Sequence, residues 1–153
     1  MKLTEHLTPA LIKVPLAAAD KTGVITELVE LVAGAGLTSS RDRLLQAVLD
    51  RESQRSTGIG RGFAIPHAKC DAVDRLVVAI GRCREPIDFK AIDGQPVTLL
   101  ALLASPISAT SAHIQALAKL SRLVTNPGIL GQLLEAQSAD DLYRVVVSHD
   151  SDS

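Results

Sequence analysis

The chain has no tryptophan, one tyrosine and two phenylalanines in 153 residues. Any core must therefore be aliphatic, built from Leu, Val, Ile and Ala. Charge of one sign is also lacking, with 16 basic against 17 acidic side chains and no run of lysines or arginines. That balance gives no electrostatic pull toward nucleic acid. Cys70 and Cys83 are the only cysteines and make neither a CxxC pair nor a disulfide framework, so both are expected as reduced thiols. No apolar run approaches the ~18 residues of a membrane span, and Met1 to Leu7 lack the basic-then-apolar pattern of a signal peptide. A cytoplasmic protein without membrane insertion is expected. No repeat and no Pro-, Gly- or Ser-rich linker divides the chain. The expectation is one domain over residues 1–148 with a frayed tail at 149–153.

What is present is periodic. Residues 11–16 suit a short strand, after which Asp20 can cap a helix carrying Val24, Ile25, Leu28, Leu31 and Val32 at helical spacing, ended by Gly34 and Gly36. A second helix is expected from Ser39 or Ser40, with Leu44, Leu45, Val48 and Leu49 on one face and Arg51 near its last turn. Phe63 to Ile65 reads as a short strand closed by Pro66. Leu76 to Ile80 and Val97 to Leu103 read as strands buried on both faces, with a turn at Asp93-Gly94 between them. The last third is helical: Ser108 to Thr125, a short helix opened by Asn126-Pro127, and a final one opened by Ser138 to Asp141. Helices before, strands between and helices after predict an α/β fold, a three-layer α/β/α sandwich around a mixed sheet.

Between the second helix and the first central strand, glycines stand at alternate positions 58, 60 and 62. This is not the GxGxxG spacing of a dinucleotide site, and no Gly-Lys-Ser/Thr follows to make a Walker loop. Tight turning or close approach of another surface is the use such glycines suit, and a purely structural loop is an equal reading. His67 follows Ile65-Pro66 at a strand end, where active-site groups are common, although from position alone a core or surface histidine is the plainer reading. His113 heads a stripe shared with Leu117, Leu120 and Val124, as a half-buried structural histidine also would. His6 and His149 look incidental near the termini. The four histidines have no metal-ligand spacing, so neither a metal nor a cofactor is expected.

The run Ser56-Thr57-Gly58-Ile59-Gly60, with Gly62 and Ala64-Ile65-Pro66-His67, resembles the motif of bacterial phosphotransferase system (PTS) enzyme IIA domains of the fructose/mannitol and nitrogen-regulatory class. In that family the histidine after Ile-Pro accepts phosphate. Pro86 to Val97, His113 at the head of a Leu-rich helix, and Leu142-Tyr143 are similar to further landmarks, so the resemblance spans nearly the whole chain. It implies a phosphohistidine relay: His67 as acceptor, Arg51 contacting the phosphate with its planar fork, and His113 donating a hydrogen bond to a phosphoryl oxygen. Thr57 and Ser56 are candidate hydroxyl donors, or else turn caps. A neutral imidazole needs no activating base, and alignment plus positive groups around the phosphoryl oxygens are the main requirements.

The implied donor is a phosphocarrier protein of the HPr/NPr type, docking on an aliphatic rim expected from Phe63, Ile65 and Ile59. The implied recipients are regulatory target proteins or a sugar-transporter IIB domain. The absence of a fused transporter domain leads us to expect the nitrogen-type regulatory role, with a sugar relay or a non-catalytic binding module as alternatives. Two positions depart from the family pattern: Ala68, often Gly, and Arg61, often Asn or Asp. Arg61 is expected to add positive charge beside the site.

Overall fold

The structure, a computed structural model, describes residues 1–150. Two short 3-10 turns lead into strand β1 (Ile12–Leu16), followed by helices α1 (Lys21–Gly34) and α2 (Arg41–Gln54). Strands β2 (Gly58–Gly60), β3 (Phe63–Ala64), β4 (His67–Lys69), β5 (Val77–Ile87) and β6 (Val97–Ser105) come next, and helices α3 (Thr110–Thr125), α4 (Pro127–Glu135) and α5 (Ala139–His149) complete the chain. The helix starts follow the expected capping chemistry. Asp20, Ser40, Asn126 and Ser138 each accept a first-turn N–H, from Gly23, Arg43, Gly128 and Asp141 respectively.

The mixed sheet runs β1-β5-β6-β3-β2, with β4 also paired to β6. β5 and β6 are antiparallel, whereas β1 lies parallel to β5, and β3 and β4 lie parallel to β6. Alternation splits β6 between two apolar layers. Leu99 and Ala101 join Phe63 and Ile80 against Leu120, Leu123, Leu133 and Val146 of α3, α4 and α5. Leu100 and Leu102 point the other way and are fully buried, and α1 and α2 pack against β5, β6 and β4. Truncating such a leucine to alanine costs about 2–5 kcal/mol. The three-layer α/β arrangement is the expected one, and its core is aliphatic apart from Phe63 and Phe89.

Three expectations need correction. β5 extends to Ile87 rather than ending at Ile80: Arg82, Arg84 and Glu85 break the apolar run, but pairing with β6 continues through Arg82 and Ile87. β2 and β4 were hidden in the glycine-rich segment. The fold also continues beyond residue 148: His149 closes α5, and the Asp150 carboxylate accepts from the backbone N–H groups of Leu3 and Thr4 and from the Thr4 hydroxyl. Residues 151–153 of the expected tail lie outside the described residues. Among the described residues no helix is long and apolar enough to cross a membrane.

Candidate functional site

The glycine-rich segment folds as a short hairpin, with Gly58 opposite Ala64 and Gly60 opposite Phe63. A Cβ at Gly58 would stand 2.7 Å from the Ala91 Cβ, so only glycine allows the segment from Phe89 to Ala91 to lie against it. At the hairpin tip Gly60, Arg61 and Gly62 all have positive φ. After Ala64 the chain continues along β6. Pro66 has no N–H to give, but its carbonyl accepts from Leu103 N at 3.0 Å, and β4 then pairs His67, Ala68 and Lys69 with Leu103, Ala104 and Ser105. His67 is thereby fixed at the carboxyl end of β6, the end where ligand sites of α/β sheets gather. The loop leaving β6 feeds α3, whose first turn carries His113.

The two histidines meet: their ring centroids are 5.4 Å apart at an interplanar angle of 60°. His67 Nδ1 lies 2.8 Å from the Ile65 carbonyl oxygen, which can only accept, so Nδ1 carries the proton. Nε2 is left with its lone pair. Burial holds the His67 pKa below its ordinary 6.5; the Ile65 bond opposes that shift, Arg51 adds to it, and Glu52 opposes it. At neutral pH the ring is therefore a neutral nucleophile. His113 is 5% exposed, and its Nδ1 is 2.6 Å from the hydroxyl of fully buried Ser105. That hydroxyl must place its hydrogen on an acceptor, and Nδ1 is the one within reach. His113 consequently holds its own proton on Nε2 as a donor. Burial, reinforced by His67 and Lys69, pushes its pKa down to about 4.

An open cleft of about 360 Å³ contains both rings, with Arg51, Lys69, Asp50 and Gln54 among its walls. Arg51 projects from the last turn of α2 and donates one Nη1 hydrogen bond to the Arg55 carbonyl at 2.9 Å, which uses one of five guanidinium N–H groups. It is both a helix-end cation and a member of the cleft. Lys69 was missed from sequence. The signal was available in period-two alternation, since residues 67 and 69 share a face once β4 is recognised as a strand. α3 begins without a side-chain cap, leaving its first-turn N–H groups without a side-chain acceptor.

Other expected members are placed elsewhere. Thr57 is buried and its hydroxyl donates to the Glu52 carboxylate, while the Ser56 hydroxyl donates to the Phe89 carbonyl at 2.8 Å. A hydroxyl has one hydrogen, so neither retains a donor for phosphate. Arg61 does not add charge beside His67. Its guanidinium donates to the Val124 and Thr125 carbonyls at 3.3 and 2.7 Å, neutralising the C-terminus of α3. Its φ of 59° is a conformation that Gly, Asn or Asp tolerates more readily than arginine. The apolar rim is also different: Phe63 and Ile65 are core residues, and only Ile59 of the expected three is exposed, at 47%. The exposed apolar side chains on the His113 side are Ile107 and Ile114.

A nucleophilic imidazole, a neutral imidazole donor and two cations around one cleft form a site for receiving an anionic electrophile such as a phosphoryl group. The comparisons with known proteins agree. The chain is 41% identical over 150 residues to the PTS system fructose-specific EIIABC component of Bacillus subtilis, covering 98% of this chain but only 24% of that protein. It thus spans about a quarter of that relative. It is 40% identical over 141 residues to the PTS system fructose-specific EIIA component of Haloferax volcanii, covering 92% of both chains. The crystal structure of nitrogen regulatory protein IIA-Ntr from Neisseria meningitidis superposes with a TM-score of 0.86 at 30% identity, covering 94% of this chain and 98% of the other. Residues 5–149 match the family described as phosphoenolpyruvate-dependent sugar phosphotransferase system, EIIA 2. The cleft geometry and this match over nearly the whole sequence lead to one conclusion: the chain belongs to the EIIA 2 family of the phosphotransferase system.

Proposed function

We propose that this protein is a phosphocarrier that takes a phosphoryl group onto Nε2 of His67 from a cytoplasmic phosphocarrier protein of the HPr/NPr type and passes it to a sugar-specific IIB domain. The observation that carries the reading is the Nδ1–H bond to the Ile65 carbonyl, which leaves the Nε2 lone pair available in a cleft shared with Arg51, Lys69 and His113. In the forward step Nε2 attacks the phosphorus of the donor's phosphohistidine. One N–P bond forms as the other breaks; the departing imidazole keeps the electron pair and takes a proton from solvent, and His67, still protonated on Nδ1, becomes the Nε2-phosphorylated imidazolium. Arg51 and Lys69 balance charge on the equatorial oxygens, and His113 Nε2–H donates to one of them. Nothing in this scheme needs a base, because His67 is already neutral.

The sugar-relay role is supported by about 40% identity to two fructose-specific relatives. One of these, from Haloferax volcanii, is matched over 92% of its own length, so a fructose-specific component can be about as short as this chain. The second reading is the nitrogen-type regulatory one, supported by the close superposition on IIA-Ntr. There the charge reversal at the cleft, of about −1.5 to −2 by analogy with other phosphorylated side chains, would switch partner binding. The intact, lone-pair-bearing His67 speaks against a non-catalytic module.

The test is incubation with phosphoenolpyruvate, enzyme I and the carrier protein, followed by intact mass measurement and then by addition of a fructose-type IIB domain. One acid-labile phosphoryl group that moves to the IIB domain is expected. Failure to label refutes the phosphocarrier reading. Labelling without transfer, together with cytoplasmic partners that distinguish wild type from His67→Ala and His67→Glu, replaces relay with regulation.

A further inference from the structure

Behind His67 lies an ion pair, its carboxylate buried and its lysine partly exposed, that the transfer chemistry does not touch. Glu52, 6% exposed on the inner face of α2, has Oε2 2.8 Å from Lys21 Nζ of α1 and 2.9 Å from the backbone N of Thr57. Its Oε1 accepts the Thr57 hydroxyl. From Thr57 the hydrogen bonds continue toward the site. The Thr57 carbonyl accepts from Ile65 N at 3.1 Å, and the Ile65 carbonyl accepts from His67 Nδ1 at 2.8 Å. A second line holds the same segment: Lys21 Nζ donates to the Phe89 carbonyl at 3.2 Å and lies 4.6 Å above the Phe89 ring, and Ser56 donates to that same carbonyl.

A carboxylate taken out of water is expensive even when paired and hydrogen-bonded, so the burial of Glu52 calls for a use. Every bond in the first line runs donor to acceptor in one direction, from the His67 N–H to the Glu52 carboxylate. From the arrangement we infer that Glu52, with Lys21 as counter-ion, is a positioning residue for His67: it fixes residues 57 and 65 so that the Ile65 carbonyl holds the proton on Nδ1 and aims Nε2 into the cleft. Glu52 does not touch the phosphoryl group. It acts through two backbone carbonyls, as a carboxylate orients a catalytic or metal-bound imidazole in other sites. Its charge also favours the imidazolium form of His67 and offsets the opposite influence of Arg51. The inference deepens the proposed phosphocarrier role and rests on it for its value to catalysis, but the tautomer can be measured without any transfer.

The experiment is a long-range 1H–15N correlation of the His67 ring in the unphosphorylated full chain, with pH titration, in wild type and Glu52→Gln, alongside the rate of labelling by the phosphocarrier. Wild type should show the Nδ1–H tautomer alone. In Glu52→Gln, with a folded amide spectrum, the His67 nitrogens should report a mixture of tautomers, the ring should titrate at lower pH than in wild type, and labelling should slow roughly 10- to 100-fold, the loss typical when the group orienting an imidazole is removed. If Glu52→Gln does not fold, Thr57→Val, which removes the hydroxyl link alone, should move tautomer and titration in the same direction by less. Unchanged tautomer and titration in the folded variant would overturn the inference, even where labelling slows, because a merely structural role would do that. A wild type that is never labelled on His67 would instead refute the phosphocarrier role while leaving the tautomer result standing.

Discussion

Acid should destabilise this protein through His113 in a way that can be isolated from every other titrating group. In the unfolded chain a histidine titrates near 6.5, and in the fold burial brings His113 down to about 4. Between these values the unfolded state binds more protons, so stability is complete above pH 6.5, falls as pH drops, and levels off below pH 4. A fall from 6.5 to about 4 is worth about 3 kcal/mol in full, and most of it should be lost by pH 4.5. Against a typical domain stability of about 5–15 kcal/mol this is a large fraction. His67, whose pKa is also lowered, contributes in the same direction, so the measurement is a difference between variants. Urea unfolding at pH 7 and pH 4.5 should show wild type losing about 2 kcal/mol more than His113→Asn, which can still pair with Ser105 but does not titrate. Equal losses in the two proteins would refute the burial of a neutral His113 and, with it, the donor assigned to the phosphoryl oxygen.

Other residues give sharper separations of role. Arg51→Ala and His113→Ala should each slow labelling about a hundredfold or more, the cost of about 3 kcal/mol for one preorganised contact to developing charge, without moving the label from His67. Stopped quench-flow labelling with excess donor checks this. Arg61→Ala should cost about 1 kcal/mol in thermal unfolding by removing the cation from the α3 terminus, yet label at the wild-type rate; Arg61→Gly should be the milder change because glycine relieves the positive φ. Asp150→Ala should cost about 2 kcal/mol by releasing three hydrogen bonds from Leu3 and Thr4. Burial alone would raise the Asp150 pKa, but those bonds and Lys119 hold it below its ordinary 3.8, so the clamp loosens only as pH falls below that value.

The sequence announced those features whose cause is local. Asp20, Ser40, Asn126 and Ser138 lie next to the N–H groups they cap, so their role follows from residue type and spacing. Continuous apolar runs revealed the buried half of β5 and most of β6. The exposed half of β5 was illegible because Arg82, Arg84 and Glu85 carry no strand pattern once the sheet no longer covers them. Strands of three residues such as β2 and β4 have too few positions to show a period, whereas β3 was marked by Phe63 and by Pro66 just beyond it. The same scale limits the site. His67, His113 and Arg51 were readable by resemblance, but where the Ser56 and Thr57 hydroxyls go depends on Phe89, 33 residues away, and on the inward turn of Glu52. Phe63 and Ile65 read as a surface rim because the burial of β3 against β6 is a tertiary fact.

The central claim is that His67 carries the phosphoryl group on Nε2 because Nδ1 is occupied by the Ile65 carbonyl. The most direct measurement is a long-range 1H–15N spectrum of the protein, uniformly 15N-labelled and phosphorylated through enzyme I and the carrier, with 31P coupling identifying the bonded nitrogen. The prediction is one phosphoryl group on His67 with the P–N coupling at Nε2 and the proton retained on Nδ1. Coupling at Nδ1, or at His113, would contradict the account.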